Sequence, residues 1–302
     1  MRAIQFSRFG GPEVLQYVAL ADPVAGPGQV LIEVEAAGVN FSEVHQVDGS
    51  YLKAELLPWL PGSEVVGRTP DGRRVLARVR GGYAELAVAD ERFTVEIGEE
   101  IPGGQALALL MQGLTAWHIL RSAARIQPGE TVVVHSAAGG VGHMAVQLPK
   151  AFGAGQVLAQ ASTPAKRELA LSLGADGVAD YPLAERVDVI LDAVGGELFD
   201  QALDSLKDFG RLVVYGNASG LGHTHVDPNR LSDLNVALVG FWLLPTLELP
   251  GTFTEPIKQM LDLVSAGKLT PMVGAEYPLA EAHRAHQDLT NRTAMGKLVL
   301  RA

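Results

Sequence analysis

The sequence predicts an α/β protein of two domains, because a β-rich front gives way to an alternation of strands and helices. In the first hundred residues, short apolar runs are separated by glycine turns, which is typical of a small barrel or sandwich. After about Gly104 the order becomes strand, helix, strand, which is typical of parallel βαβ units. A chain of 302 residues is long enough for two cores.

The front strands are predicted from apolar and alternating runs bounded by turn residues. The first run is followed by Gly38, and the later ones are separated by Asp71-Gly72 and Gly81-Gly82. The predicted strands cover residues 30–36, 64–68, 74–79 and 84–88.

The later elements alternate as a parallel sheet requires, and Gly174 is a stop signal for one of the helices. Strands are predicted at residues 131–135, 156–161, 187–192 and 211–215, and helices at 141–152, 165–173 and 198–206. The end of the chain has helices at 255–266 and 279–291 and a strand at 296–301. Because this end resembles the front in character, we predict a first domain of residues 1–112 and 247–302, with residues 113–246 inserted as a Rossmann-like domain.

Composition excludes several classes of protein. The chain has no cysteine, which rules out disulfides, thiolate zinc sites and cysteine nucleophiles. Its net charge of −10 disfavours nucleic-acid binding. The longest apolar run, residues 236–244, is too short for a membrane span, and the first residues lack the apolar core of a signal peptide. We therefore expect a cytoplasmic protein that binds neither nucleic acid nor membrane.

A glycine-rich turn follows the strand at residues 131–135 and precedes a helix, which is the context of a dinucleotide-binding fingerprint. Gly139 and Gly142 take the second and third glycine positions, whereas Ala137 stands at the first. The N-terminus of the helix would offer N–H donors to a pyrophosphate. The alternative is a tight turn without a ligand. The residues predicted to bind the cofactor here are Ala138, Gly139, Gly140, Val141 and Gly142.

The end of the next strand favours NADPH over NADH. NAD-binding domains place an acidic residue there for the ribose hydroxyl, but residues 162–167 contain no acid. Ser162, Lys166 and Arg167 instead offer a hydroxyl and two cations, which suit a 2′-phosphate. The alternative is that the two cations lie on a solvated helix face.

Many motifs of the chain, in order, resemble the zinc-free quinone oxidoreductases, the zeta-crystallin-like branch of the medium-chain dehydrogenase/reductase superfamily. The matching pieces are residues 9–15, 27–31, 36–41, 61–67, 112–116, 137–142, 174–176, 216–220 and 296–300, together with Tyr181. The resemblance implies a GroES-like barrel as the first domain, a cleft between the domains, and hydride transfer from NADPH to a quinone without zinc.

The resemblance also locates the positions at which zinc-dependent relatives hold their catalytic metal. Asn40, Ser63 and Gln112 stand there. An amide, a hydroxyl and a second amide are poor ligands for Zn²⁺, which prefers thiolate, imidazole or carboxylate. We therefore expect no metal at this site.

A motif that resembles the family's substrate-binding segment covers residues 38–51. Asn40, Gly49 and Tyr51 match the family, whereas Glu43, His45 and Val47 replace Asp, Tyr and Arg. The resemblance implies that Asn40 and Tyr51 donate hydrogen bonds toward nicotinamide or substrate and that Glu43 orients them. The alternatives are a half-buried surface tyrosine and a surface carboxylate.

Further cofactor contacts are implied by position in the family. Thr115 is expected near the nicotinamide or its phosphates, and Tyr181 beside the 2′-phosphate with Ser162 and Lys166. Gly216 and Asn217 follow a strand at the edge where ligands bind. The alternative for Asn217 is a residue that only forms the turn.

The apolar run at residues 236–244 is a candidate edge strand, through which two copies would form a homodimer. Packing within one subunit is the alternative. For the histidines we expect structural roles: His135 in the core, and His223 and His225 in a loop without a carboxylate nearby.

Two other functions remain open from the sequence. An enone or 2-alkenal reductase would use the same scaffold, because it also needs NADPH and a donor near one oxygen. A protein that binds NADPH with little turnover is the second alternative.

Overall fold

The computed structural model describes residues 1–52 and 56–302. The strands are β1 (Arg2–Gln5), β2 (Gln16–Ala19), β3 (Gln29–Val39), β4 (Glu64–Arg68), β5 (Arg74–Val79), β6 (Leu86–Glu96), β7 (Thr131–Val134), β8 (Gln156–Ala159), β9 (Gly177–Val178), β10 (Val187–Asp192), β11 (Leu206–Val214), β12 (Ala237–Gly240), β13 (Val273–Pro278) and β14 (Lys297–Arg301).

The helices alternate with the later strands. They are α1 (Phe41–Asp48), α2 (Gly103–Ala108), α3 (Leu114–His118), α4 (Gly142–Ala151), α5 (Pro164–Ser172), α6 (Glu197–Asp204), α7 (Pro228–Leu234), α8 (Leu243–Leu247), α9 (Thr254–Ser265) and α10 (Ala282–Thr290). Two π-helical stretches, Leu109–Gly113 and Ile119–Ala124, flank α3, and two 3₁₀ turns lie at Pro12–Val14 and Leu279–Glu281.

The chain divides into two compact units. The barrel unit comprises residues 1–112, 253–261 and 271–302, and the Rossmann unit comprises residues 113–252 and 262–270. The first boundary predicted from the sequence lies at the same place, between residues 112 and 113. The second was placed between residues 246 and 247, whereas the Rossmann unit continues to Thr252 and also takes in residues 262–270.

The barrel unit closes through β3, the strand with the most neighbours. Antiparallel pairing runs from β3 through β4 and β5 to β6, and β6 pairs back with β3. On its other side β14 joins β3, and β13 joins β14. Closure removes exposed edges from the sheet, and apolar side chains such as Ile32, Val65 and Leu298 fill the core.

The Rossmann unit is a parallel sheet in the order β12-β11-β10-β7-β8-β9. Read from the other side this is the 3-2-1-4-5-6 order of a dinucleotide-binding fold, in which the strand order reverses between β7 and β10. The run Thr131–Val134 is β-branched throughout, and its three valines are buried, as expected of a central strand covered on both faces. In folds of this order, ligands bind beyond the carboxyl ends of the strands at the switch point.

Candidate functional site

The glycine-rich turn after β7 is built around one left-handed residue, Ser136, whose φ is 52°. The turn then closes tightly, because the N–H of Gly139 donates to the Ser136 carbonyl at 2.8 Å. A Cβ on Gly142 would collide with that same carbonyl oxygen. Ala137 is fully buried and is not the left-handed residue, which explains why alanine is accepted where the fingerprint has its first glycine.

The absence of a side chain at Gly142 therefore lets the start of α4 lie against the Ser136 carbonyl. The first N–H groups of a helix have no intrahelical partner, and they carry the positive end of the helix dipole. Gly139, Gly140 and Val141 are half-buried, whereas Ala138 and Gly142 are buried. Only a glycine at position 142 leaves room for this turn, and a helix N-terminus after such a turn is the kind of place where a pyrophosphate binds.

A buried chain of polar side chains stands at the switch point itself. His135 follows β7 and Asp192 ends β10, and both side chains are fully buried. Nδ1 of His135 lies 3.0 Å from Oδ1 of Asp192, and its Nε2 lies 2.7 Å from the hydroxyl of Tyr181. The sequence predicts His135 as a core residue, and the structure confirms its burial but also gives it two polar partners.

Asp192 is kept ionised by its surroundings. Burial alone would raise the pKa of its carboxyl, but hydrogen bonds from His135 and from the backbone N–H groups of Val194 and Gly195 outweigh burial and lower that pKa. His223 also approaches, with its Nε2 3.9 Å from Oδ2 of Asp192. The expectation that His223 has no carboxylate nearby was therefore wrong, because Asp192 is distant in sequence and only the fold brings it close.

Asn217 folds the loop after β11 onto itself, and backbone hydrogen bonds such as that from Ala218 to the Ala193 carbonyl at 2.8 Å join this loop to the one after β10. Oδ1 of Asn217 accepts hydrogen bonds from the N–H of Gly222 at 3.1 Å and from the hydroxyl of Ser219 at 3.2 Å. Gly216 lies against the Ala193 carbonyl, with 3.2 Å to an added Cβ. These contacts match the turn-forming alternative for Asn217, and a contact of Gly216 or Asn217 with a cofactor stays a prediction.

The start of α5 lies at the end of β8, where the sequence predicts the 2′-phosphate. Thr163 caps the helix by accepting from the N–H of Lys166 at 3.3 Å. Ser162 is exposed and Lys166 is half-buried. Arg167 pairs with Asp180 at 2.7 Å and donates to the Ala161 carbonyl at 3.0 Å. Tyr181 comes shortly after β9, which pairs in parallel with β8, so it leaves the sheet at the same edge as the segment that leads into α5.

In the barrel unit, the predicted residues Asn40 and Glu43 meet Ser63. Glu43 is fully buried, and its carboxyl accepts from the backbone N–H of Asn40 at 2.9 Å and from the Ser63 hydroxyl. Burial raises the pKa of Glu43, although the Ser63 hydrogen bond and the charge of Lys297 oppose the rise. The surface-carboxylate alternative for Glu43 does not hold, because its side chain lies inside.

A buried ion pair stands directly behind Asn40. Lys297, the first residue of β14, and Glu64, the first of β4, are both fully buried and form an ion pair. Lys297 donates to Oδ1 of Asn40 at 2.7 Å, and Nδ2 of Asn40 donates to Glu64 at 2.9 Å. Glu64 also accepts from the backbone N–H of Met111 at 2.8 Å. The Asn40 amide is thereby held at both ends.

Tyr51 follows α1, which is capped after Asp48 by Gly49 in the left-handed conformation with φ of 81°. Tyr51 is half-buried, and its backbone N–H donates to the His45 carbonyl at 3.0 Å. Val47 packs against Phe6 in a small apolar cluster. The valine that replaces the family's arginine therefore faces the interior, where a cation would be costly.

The residues at the zinc positions do not fit a zinc ion. The Asn40 amide is committed to Lys297 and Glu64, and Ser63 to Glu43. Gln112 is buried, and its Oε1 has no hydrogen-bond partner among the described residues. Within residues 1–52 and 56–302 no three His, Asp or Glu side chains are grouped so that they could hold a metal ion.

Four of the central residues were not predicted as parts of a site. Asp192 and His135 stand at the ends of neighbouring strands, and that position was the available signal. Glu64 and Lys297 belong to motifs of the family, but their contact depends on the pairing of β14 and β4 with β3. Thr115, which was predicted, lies in α3 and is half-buried.

Two models of known protein families match this chain, one in its front part and one in its later part. Residues 26–99 match the family model described as "Alcohol dehydrogenase GroES-like domain", and residues 173–300 match "Zinc-binding dehydrogenase". Of the residues described, none belongs to a helix that is long and apolar enough to cross a membrane.

Individual proteins match over the whole chain. The quinone oxidoreductase of Pseudomonas aeruginosa is 34% identical over 99% of both chains, and the human quinone oxidoreductase is 30% identical over 99% of this chain and 97% of its own. Among solved structures, the quinone oxidoreductase of Thermus thermophilus, whose complex with NADPH was also determined, has 37% identity and a TM-score of 0.91 over 100% of both chains.

Proposed function

Because the chain belongs to the quinone oxidoreductase family of medium-chain dehydrogenases/reductases, we propose that it reduces a quinone with NADPH. The net reaction adds one hydride and one proton to the quinone and leaves NADP⁺ and the hydroquinone. The observation that carries the proposal is the full-length similarity to quinone oxidoreductases, with a TM-score of 0.91 to one that was also solved with NADPH.

The cofactor would occupy the carboxyl edge of the Rossmann sheet. The turn that Gly142 keeps open would receive the pyrophosphate at the N-terminus of α4. When bound, NADPH supplies the hydride. The remaining contacts are proposed for Thr115, Ser162, Lys166, Tyr181, Gly216 and Asn217, alongside Ala138, Gly139, Gly140 and Val141 of the turn.

The barrel unit would contribute the groups that act on the acceptor. We assign this role to Asn40 and Tyr51, with Glu43 orienting the start of α1 through the backbone of Asn40. Both Asn40 amide hydrogens face protein acceptors, Glu64 at 2.9 Å and Ser63 at 3.4 Å. The longer of these two bonds is the weaker one, so it is the one that a substrate oxygen would replace.

A parallel assay tests the proposed reaction. NADPH oxidation is followed by absorbance with 1,4-benzoquinone, 9,10-phenanthrenequinone and a 2-alkenal as acceptors. Turnover of the quinones supports the proposal. Turnover of the alkenal alone would identify an enone or alkenal reductase instead, and tight NADPH binding without reduction of any acceptor would identify a binding protein.

The Tyr51→Phe variant tests the assignment of a donor in the barrel unit. Loss of a hydrogen bond to developing negative charge should lower kcat by about tenfold to hundredfold, whereas NADPH affinity should stay nearly unchanged. Single-turnover kinetics and a fluorescence titration with NADPH measure the two effects. The Tyr17→Phe variant, a tyrosine on β2, is the matched control. An unchanged kcat in Tyr51→Phe would remove Tyr51 from the mechanism.

We further propose a homodimer through the edge strand β12. The described partner of β12 in the sheet is β11, and a Cβ at Gly240 would meet no atom within 4 Å. Unpaired apolar strand edges tend to be covered. Sedimentation equilibrium should give twice the chain mass of 32.0 kDa, and in a Val239→Lys variant the measured mass should fall toward that of one chain.

A cytoplasmic location is proposed on the strength of the NADPH requirement and is tested by cell fractionation.

A further inference from the structure

Three polar side chains, Asp192, His135 and Tyr181, form a hydrogen-bonded relay that reaches from the core toward the edge of the Rossmann sheet. It runs from the end of β10, across the residue after β7, to the segment beside α5. Tyr215, after β11, lies close enough that the charge of Asp192 helps to raise the pKa of its phenol, and His223 is 3.9 Å from the same carboxylate. The Arg167–Asp180 ion pair involves the residue that precedes Tyr181.

The hydrogen-bonding capacity of Asp192 determines where one ring proton of His135 lies. An ionised carboxylate has only acceptors, so His135 must donate through Nδ1–H to Asp192 across their 3.0 Å contact. The 2.7 Å contact between Nε2 and the Tyr181 hydroxyl then has two solutions. Either Tyr181 donates to a bare Nε2, or a second ring proton on Nε2 donates to the phenol oxygen.

The two protonation arrangements differ in the direction of the Tyr181 phenol proton. With a single ring proton on His135, the phenol proton points inward, so only lone pairs of the oxygen face outward and would repel a phosphate. With two ring protons, the phenol oxygen accepts from Nε2–H, and the phenol proton becomes available to an outside acceptor. A phosphate dianion offers only acceptors, so it selects the second arrangement.

Tyr181 is placed where that choice would matter. β9 runs parallel to β8 with Val178 opposite Ala159, so Tyr181 follows β9 at the level where Ser162 follows β8, just before α5 and Lys166. We propose that binding of the NADPH 2′-phosphate places a second proton on His135, so that Tyr181 turns its hydroxyl to the phosphate while Asp192 holds the imidazolium. This inference rests on the proposed NADPH dependence. His135 and Asp192 act as positioning residues through Tyr181.

The proton balance of binding gives a direct readout. Calorimetric titrations with NADPH and with NADH are run at pH 8 in buffers of different ionisation enthalpy. At this pH the free 2′-phosphate is already a dianion, so a proton taken up belongs to the protein. We expect uptake of about one proton with NADPH and none with NADH, because NADH lacks the acceptor. Equal uptake for both cofactors, or none for either, overturns the proposal.

Three variants locate the proton. Tyr181→Phe should abolish the uptake and lower the preference for NADPH over NADH by about tenfold, since a hydrogen bond to a charged group is lost. His135→Gln, whose amide donates without titrating, should keep the preference but take up no proton. His223→Gln is the control, because His223 lies near Asp192 but is not one of the three hydrogen-bonded side chains. Its proton uptake and its cofactor preference should equal those of the wild type. Uptake that survives in Tyr181→Phe, or that is lost in His223→Gln, contradicts the assignment.

The measurement separates this inference from the proposed function. Quinone turnover together with NADPH binding, but without proton uptake, would remove the relay and leave the reductase intact. Absence of NADPH binding would remove the function itself. If His135→Gln does not fold, as circular dichroism would reveal, Tyr181→Phe still decides the question, because its half-buried ring is retained.

Discussion

At the level of single residues, we predict that Lys166, near the start of α5, contributes to a preference for NADPH over NADH. Lys166→Glu should weaken NADPH binding by about tenfold to hundredfold more than NADH binding, since only NADPH carries the 2′-phosphate. Fluorescence titration with both cofactors measures the ratio. Lys207→Glu is the control, because Lys207 pairs with Asp188 near the amino ends of the strands. An equal loss for both cofactors in Lys166→Glu would refute its role.

Lys297 and Arg301 lie on the same strand but in opposite surroundings. Lys297 is fully buried against Glu64, whereas Arg301 pairs with Glu276 at the surface. Lys297→Met leaves a buried carboxylate unpaired and should lower the free energy of unfolding by about 3–5 kcal/mol. Arg301→Met should cost less than about 1 kcal/mol. Urea unfolding measures the free energy of unfolding of both variants. Equal decreases would mean that the buried ion pair contributes no more to stability than the surface pair.

At the level of elements, the turn before α4 should reverse the usual effect on stability of replacing a helical glycine by alanine. Replacement of glycine by alanine in a helix ordinarily stabilises by up to about 1 kcal/mol. At Gly142, however, the added Cβ would collide with the Ser136 carbonyl. Gly142→Ala should therefore destabilise the Rossmann unit by roughly 1–3 kcal/mol and weaken NADPH binding.

The matched control for this prediction is Gly103→Ala at the start of α2. An added Cβ there comes no nearer than 3.5 Å to another atom, and its backbone is not left-handed. Thermal unfolding with and without NADPH should leave the Gly103→Ala variant close to wild type. A Gly142→Ala variant as stable as wild type would show that the turn relaxes without cost.

The whole molecule should lose stability as the solution becomes acidic, in part through one histidine. His286 on α10 is buried against Tyr83, with 3.2 Å between its Nε2 and the phenol oxygen, and burial lowers its pKa to about 4. An unfolded histidine has a pKa near ~6.5, so the unfolded state binds more protons between these values. The free energy of unfolding should therefore fall by about 2–3 kcal/mol as pH drops from ~6.5 to ~4.

A variant isolates this contribution from those of other titrating groups. His286→Gln keeps a polar partner for Tyr83 but does not titrate, so its stability should depend less steeply on pH in that window. Urea unfolding at several pH values measures both slopes. Parallel slopes for wild type and His286→Gln would show that the acid sensitivity arises elsewhere.

Several features could be predicted from the chain because they depend on local pattern. The strand–turn–helix around Gly139 and Gly142, the parallel alternation and the GroES-like front were predicted and are confirmed by the sheets and by the family matches. The membership in the quinone oxidoreductase family was also predicted and is confirmed. The roles of Asn40, Tyr51 and the cofactor contacts remain predictions.

Other features required the tertiary structure, because they join residues far apart in sequence. The pairing of β14 with β3 brings Lys297 to Asn40 and Glu64, and the switch between β7 and β10 brings His135 to Asp192. A buried charge looks in a sequence like any surface charge, since its partner is set by strand order and not by spacing. The sequence by itself determined the class of fold, the family and the glycine-rich turn before α4, all of which follow from local periodicity and contiguous motifs. Only the tertiary structure decided which polar groups face each other, because those contacts depend on long-range pairing and on the exclusion of water.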